Sequence, residues 1–315
     1  MEVLTDSDAL PGPDAPGSVV SIGVFDGMHL GHRAILAANT KRASELDAVA
    51  TVVTFRRHPK EVLLGRAPRT LTTLEHRLEL FRRAGMGRTL VLSFDETLRR
   101  TAPEDFVNRI CAQGLGARAF VLGFDSKFGR DRAGTPELVR RLGYETQVVP
   151  KVVVGERAVS STAIREAVEL GDIAGATRML GRPVSVYGEV IAGAQLGRKL
   201  GFPTANLDLH HELHPPPGVY AARARVVEPS SVTAVRSEHE AVVNIGFRPT
   251  VTGEMPAAPL VEVHLFDFAD ELYGLHLEVE FVAHIRPEQR FGGLEALSAQ
   301  IAKDAAAARE ILGKA

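Results

Sequence analysis

Two histidines three residues apart, His29 and His32, stand in "SIGVFDGMHLGH" (21–32), where an apolar run passes through Asp-Gly into a helical pattern. An imidazole pair there could bind a metal, move protons or hold an anion. Gly27 and Gly31 permit a tight turn and close backbone approach. A helix start adds N–H groups and the positive end of a dipole, so an anion is the natural guest. Histidines at such a point can donate hydrogen bonds to a phosphate and stabilise charge that builds up during transfer. A metal site lacks a completing set of cysteines or carboxylates nearby, and two satisfied structural histidines are the plain alternative. A second stretch, "VSSTAIREAV" (159–168), places Ser160, Ser161 and Thr162 at a predicted helix start with Arg165 one turn on. The hydroxyls can simply cap the helix. The arginine is unfavourable beside a positive dipole end unless an anion lies between.

A further constellation lies in "GRKLGFPTANL" (197–207). Gly197 and Gly201 make a flexible loop, Pro203 stiffens its exit, and Thr204 and Asn206 offer oxygens two positions apart. Such oxygens beside phosphates suit Mg2+, which keeps several waters and takes few protein ligands; an ordinary turn is the alternative. In "LVEVHLFDF" (260–268), period-two alternation puts Val261, Val263 and Leu265 on one face and Glu262 and His264 on the other. By pattern alone Glu262 reads as a solvated glutamate.

Two kinds of scaffold must carry these groups. From residue 18 to about 180, apolar runs ("VVSIGVF", "AVATVVTF", "TLVLSF", "AFVLGF") alternate with helical segments such as "TLEHRLELFRRAG" and "PEDFVNRICAQG". Near-continuous apolar strands between helices predict a parallel sheet covered on both faces, a doubly wound α/β domain. Its ligands belong beyond the carboxyl ends of the strands. Near residue 182 the pattern changes to strands joined by Gly- and Pro-rich turns, "VSVYGEVIA", "GVYAARARVV", "EAVVNIG", "LVEVHLFDF" and "LHLEVEFVAHI". These predict an antiparallel barrel or sandwich, closed by one amphipathic helix over "LEALSAQIAKDAAAAREIL". Two domains, 1–181 and 182–315, follow, and 315 residues suffice for two cores.

Composition narrows the function. With 37 basic and 39 acidic residues the net charge is −2, unlike the basic domains of nucleic-acid binders. The single cysteine, Cys111, excludes a disulfide framework or a cysteine zinc site and fits a reducing cytoplasm. No apolar run reaches the length of a membrane span. The start, "MEVLTDSDALPGPDAPG", reads as a flexible arm rather than a signal peptide.

Taken together, "GVFDGMHLGH", "TFRRHP" (54–59), "GFDSKFG" (123–129) and "SSTAIR" (160–165) resemble the H-x-G-H nucleotidyltransferases, and within them the prokaryotic bifunctional riboflavin kinase/FAD synthetases. In the second half "GFPTAN", "NIGFRPT" (244–250), "EVHLFDF" followed by "LYG", and "RPEQRFGGLEAL" (286–297) occur in the order found in riboflavin kinases. The resemblance implies a Rossmann-like FMN adenylyltransferase domain followed by a β-barrel riboflavin kinase domain with a C-terminal helix. In the first, Gly23, Phe25, Asp26, Gly27, His29, Gly31, His32, Ser161, Thr162 and Arg165 would serve ATP, with His29, His32 and Arg165 catalytic. Phe55, His58, Pro59, Asp125 and Phe128 would hold FMN. In the second, Gly193, Gly197, Arg198, Gly201, Pro203, Thr204 and Asn206 would bind ATP, Thr204 and Asn206 with Mg2+. Glu262 would act as base, with Arg286 and Phe291 on the flavin. The chain departs from the family at Phe124 and Ser126 around Asp125, at the two arginines of "TFRRHP", and at Ala194 and Leu196 in the glycine loop.

The two chemistries fit together. A ribityl hydroxyl needs a carboxylate base, whereas the FMN phosphate is already mostly ionised and needs only positioning and charge neutralisation. The expected partners are riboflavin, FMN and ATP, with no nucleic acid and no membrane, on a monomer or weak homo-oligomer. Two other readings stay open: a diverged relative with one module inactive or acting on another flavin or nucleotide, and a non-catalytic flavin carrier.

Overall fold

The computed structural model describes residues 1–6, 8–12, 15–60, 62, 65, 68–193, 196–210, 212–228, 235–246 and 260–314. Two sequence motifs run past those bounds: residues 247–250 of "NIGFRPT" and Ala194 of the glycine loop lie outside them. The chain divides into two compact units, Met1–Ala163 and Ile164–Ala315.

In the first unit, β1 (Glu2–Thr5), β2 (Ser18–Ile22), β3 (Val49–Phe55), β4 (Arg88–Leu92), β5 (Ala117–Gly123) and β6 (Glu145–Val149) form one sheet ordered β1-β4-β3-β2-β5-β6. All pairings in it are parallel. Strand β2 is buried along its whole length, as burial of both faces requires. Val19, Val52 and Ala119 pack against Leu36 and Ala43 of α1 (Leu30–Glu45) and Phe81 of α2 (Leu74–Arg83). Val20, Val53, Leu90 and Phe120 face Phe106, Val107 and Cys111, and Leu138 of α3 (Pro136–Arg141). Asn39, buried on α1, donates to Val19 O at 3.0 Å and Thr51 O at 3.3 Å, locking that helix over β2 and β3. The strand order reverses at β2, so the crevice for a ligand opens at its carboxyl end.

Two sequence expectations change. The N-terminal arm is not all flexible, because Glu2–Thr5 adds to the sheet beside β4, and Arg88 Nε reaches Glu2 at 2.6 Å. Four residues are too few to show a period, and the free edge of β4 supplies the order. The helix predicted over 103–114 begins with Pro103 in its first turn and continues as a π-helix from Phe106 to Gly114. Beyond β6 come the two-residue strands β7 (Val153–Val154) and β8 (Arg157–Ala158), then α4 (Ser161–Glu169), inside which the two units part in sequence.

In the second unit α5 (Ile173–Leu180) precedes a barrel of β9 (Val184–Ile191), β10 (Ala205–Asp208), β11 (Gly218–Val227), β12 (Val235–Gly246), β13 (Leu260–Leu265) and β14 (His276–Arg286). It is closed in the order β10-β13-β12-β11-β14-β9, all antiparallel. Along β13 Val261, Val263 and Leu265 are buried. Val242, the cross-strand partner of His264, packs with Ala308 and Leu312 of α6 (Leu294–Leu312). The valine face of β13 therefore fills the barrel, and the Glu262/His264 face looks outward toward the helix layer.

Candidate active sites

His29 is the N-cap of α1: its Nδ1 accepts the His32 N–H at 3.3 Å. The rings of His29 and His32 stack at 3.6 Å with 17° between planes. Phe25 meets His32 edge-on at 5.1 Å and leans on Phe81 at 5.6 Å. With Nδ1 accepting, neutral His29 carries its proton on Nε2. Burial pushes its imidazole down to about 4 despite the nearby Asp26 carboxylate. Burial, with His29 and Arg77 alongside, puts His32 well below the usual histidine range. Both rings are neutral at pH 7 and offer N–H donors rather than charge.

The turn feeding this cap is strained, with Phe25 (φ 54°), Gly27 (82°) and Met28 (45°) in the left-handed region. Such geometry persists only where the surroundings over-determine it. Asp26 does so: its carboxylate accepts from Leu71 N (2.9 Å), Thr72 N (3.1 Å) and Thr72 Oγ1 (3.3 Å). Thr72 Oγ1 accepts the Gly27 N–H at 3.0 Å, and Ser161 Oγ donates to Asp26 O at 2.9 Å. A Cβ on Gly27 would lie 2.7 Å from Leu71, so space as well as φ demands glycine. Asp26 and Phe25, expected to serve ATP, thus have side chains turned into the protein. Gly23 stays near the cavity floor, and Gly31 packs against the His29 ring. Ser160 Oγ accepts the Ala163 N–H at 3.2 Å and performs the capping that the sequence left open. Thr162 is exposed and Arg165 half-buried on the same helix.

A cavity of about 680 Å³ gathers Gly23, Phe55, His58, Pro59 and Phe128. Asp125 is exposed on the turn after β5 and is not among its lining residues. Phe94 and Phe106 complete an aromatic wall, and Lys60, Arg99, Arg100, Lys127, Arg130 and Arg132 supply positive charge. Sequence reasoning missed these; "KFGRDR", directly around Phe128, carried the signal for half of the cations.

Among the described residues of the barrel unit lie cavities of about 550 and 270 Å³, and Thr204 lines both. The larger also takes Arg198, Pro203 and the segment Phe268–Tyr273; the smaller takes Gly197, Asn244, Glu262, His264, Arg286 and Phe291. In register, Asn206 faces Glu262 and Glu262 faces Asn244, one row across β10, β13 and β12. Asn244 Nδ2 lies 3.5 Å from a Glu262 oxygen. Asn206 is buried and its Oδ1 accepts no hydrogen bond among the described residues, an oxygen with capacity for a ligand. Gly193 and Gly197 are close-approach glycines, since a Cβ would come 2.0 Å from the Asn206 amide and 3.1 Å from Thr204 Oγ1 respectively. Gly201 has φ 85°. Pro203 O is 2.8 Å from His264 Nδ1. Arg286 makes a bidentate pair with Asp304, closest approach 2.6 Å, and lies over Phe291 at 5.7 Å.

A family model described as FAD synthetase matches residues 12–163, and one described as riboflavin kinase matches residues 180–312. The bifunctional riboflavin kinase/FMN adenylyltransferase of Pseudomonas fluorescens is 40% identical over 309 residues, 95% of this chain and 94% of that one. The chain belongs to that family. Its Bacillus subtilis member is 35% identical over 295 residues, covering 91% of this chain and 90% of its own. The crystal structure of a Streptococcus pneumoniae protein named as a macrolide-efflux protein matches with a TM-score of 0.81 at 27% identity, over 98% of this chain and 99% of that one. Among the described residues no helix is long and apolar enough to cross a membrane. Of the motif residues, Phe55, His58, Pro59 and Phe128 line one cavity of the first unit, whereas Asp125, His29 and His32 are not among its lining residues; in the second unit Thr204 and Glu262 line cavities and Asn206 lines neither.

Proposed function

We propose that the chain divides its family's two reactions between its halves: residues 182–315 phosphorylate riboflavin to FMN with ATP, and residues 1–181 adenylylate FMN to FAD, releasing pyrophosphate. The observation that carries the kinase assignment is Thr204, shared by two cavities of which only the smaller holds Glu262. Nucleotide occupies the larger cavity and riboflavin the smaller, so the γ-phosphoryl group crosses at Thr204. Glu262 accepts the proton of the ribityl hydroxyl as its oxygen attacks phosphorus and the bond to ADP breaks. Asn244 orients that carboxylate, and Phe291 with Arg286 flanks the ring system. Thr204 Oγ1 and Asn206 Oδ1 would hold Mg2+, whose charge would offset that of the ATP phosphates. Two neutral oxygens, one of them unpartnered and buried, suit an ion that draws most of its ligands from phosphate and water.

In adenylyl transfer an oxygen of the FMN phosphate attacks the α-phosphorus of ATP and pyrophosphate leaves; no base is needed. His29 and His32 act as phosphate clamps that donate N–H bonds to the departing charge, helped by the first turn of α1. The aromatic wall takes the flavin and the surrounding cations its phosphate. Arg165 is assigned to this reaction on its motif alone. A cytoplasmic location fits these substrates and the one, buried cysteine.

Incubating the purified protein with riboflavin, ATP and Mg2+ and separating products by chromatography tests the proposal. FMN should rise first and FAD follow. FMN alone would mean an inactive first half, and bound but unchanged riboflavin would mean a carrier.

A further inference from the structure

Behind the adenylyltransferase cavity lies a buried cation. Arg77 on α2 is 3% exposed and is not among the residues lining that cavity. Its Nη1 donates to Val24 O and its Nη2 to Phe55 O, both at 2.9 Å. Val24 and Phe55 do line the cavity. Val24 opens the strained turn that leads to His29, and Phe55 ends β3. The two chains run together until Gly23 N–H donates to Val53 O at 3.1 Å; from there they separate, and the guanidinium bridges them. Thr54 Oγ1 adds a second bond to Val24 O at 3.2 Å. A guanidinium offers these donors in a rigid fork, which an ammonium does not.

The same charge faces the histidine pair. The titratable groups acting on His32 are His29 at the start of its own helix and Arg77 from α2; Asp26, on the turn before, acts on His29. A cation fixed there opposes a second one on the imidazole.

We propose that Arg77 is a positioning residue for adenylyl transfer: its fork fixes the diverging ends of β2 and β3, which carry the histidine turn and the flavin wall. The inference rests on assigning adenylyl transfer to this cavity.

The test compares full-length wild type, Arg77→Lys and Arg77→Met with FMN, ATP and Mg2+, and follows the His32 ring by NMR across pH. Arg77→Met should lower kcat for FAD formation roughly a hundredfold, the cost of a small misplacement, and move the His32 titration to higher pH. Arg77→Lys keeps the charge without the fork, so kcat should fall while His32 titrates as in wild type. Loss of rate with an unmoved His32 in Arg77→Met would overturn the electrostatic part; wild-type kcat in Arg77→Met, or full rescue by lysine, would overturn the fork. Should the methionine variant not fold, the lysine variant and the wild-type titration still decide. A wild-type His32 titrating near the ordinary value of about 6.5 overturns the electrostatic part, and full activity of Arg77→Lys overturns the fork. Wild type that makes no FAD from FMN overturns the cavity assignment and this role together, whereas active wild type beside an equally active Arg77→Met removes only the role of Arg77.

Discussion

Replacing His29 with Asn separates the helix cap from the titratable ring. Asn is among the best N-cap residues, so its oxygen can accept the His32 N–H that Nδ1 accepts at 3.3 Å. What disappears is an imidazole held at about 4 against an ordinary 6.5. Because the folded value lies below the unfolded one, the unfolded chain binds more protons between them. The stability is present in full above about pH 6.5 and is lost as pH falls toward 4. At pH 5 the unfolded ring gains a factor of about 30 from protonation and the folded ring almost none, a loss of about 2 kcal/mol relative to neutral pH. Urea unfolding of the full-length chain at pH 7.5 and 5.0, with α1 followed by pulsed hydrogen exchange, measures it. The His29→Asn chain should lose about 2 kcal/mol less than wild type over that interval. Equal losses in the two proteins would refute the reading of His29 as a buried neutral imidazole.

Other perturbations separate the halves. His32→Ala removes a preorganised donor and should cut FAD formation from FMN about a hundredfold, with FMN accumulating when riboflavin is supplied. Gly193→Ala puts a Cβ 2.0 Å from the Asn206 amide; displacing that side chain should lower riboflavin phosphorylation by roughly ten- to a hundredfold, and FMN adenylylation assayed separately should be unchanged. Arg225→Met removes the guanidinium that Glu278 (1% exposed, 3.3 Å) and Glu280 (2.6 Å) share, and should destabilise the barrel by up to about 3 kcal/mol in urea unfolding.

Local patterns carried much of this organisation. His29 and His32 are visible because a strand, a glycine turn and a helix start follow one another within twelve residues. The outward face of Glu262 is visible because a strand's period is two. Long-range facts are not. Asp26 looks like a nucleotide ligand until Leu71 and Thr72 arrive to occupy its carboxylate. The neutrality of His32 depends on burial and on Arg77, forty-five residues further along the chain. Alternation along β13 predicts which side is buried but not that β9 and β10 pair to close a barrel rather than a sandwich. Nor does the stretch around Asp125 reveal that Phe128 enters the cavity wall while Asp125, three residues earlier, remains outside.

The division of labour stands or falls most directly on Glu262→Gln, assayed with each flavin in turn. Glutamine keeps the size of the side chain and can still meet Asn244, which lies 3.5 Å from the native carboxylate, but it does not accept the hydroxyl proton. Riboflavin phosphorylation should fall by about a hundredfold to ten-thousandfold, with melting of the barrel unchanged. FAD formation from supplied FMN should continue at the wild-type rate, because that nucleophile is already ionised and is used in the other half of the chain. Undiminished phosphorylation of riboflavin by the variant would contradict the account.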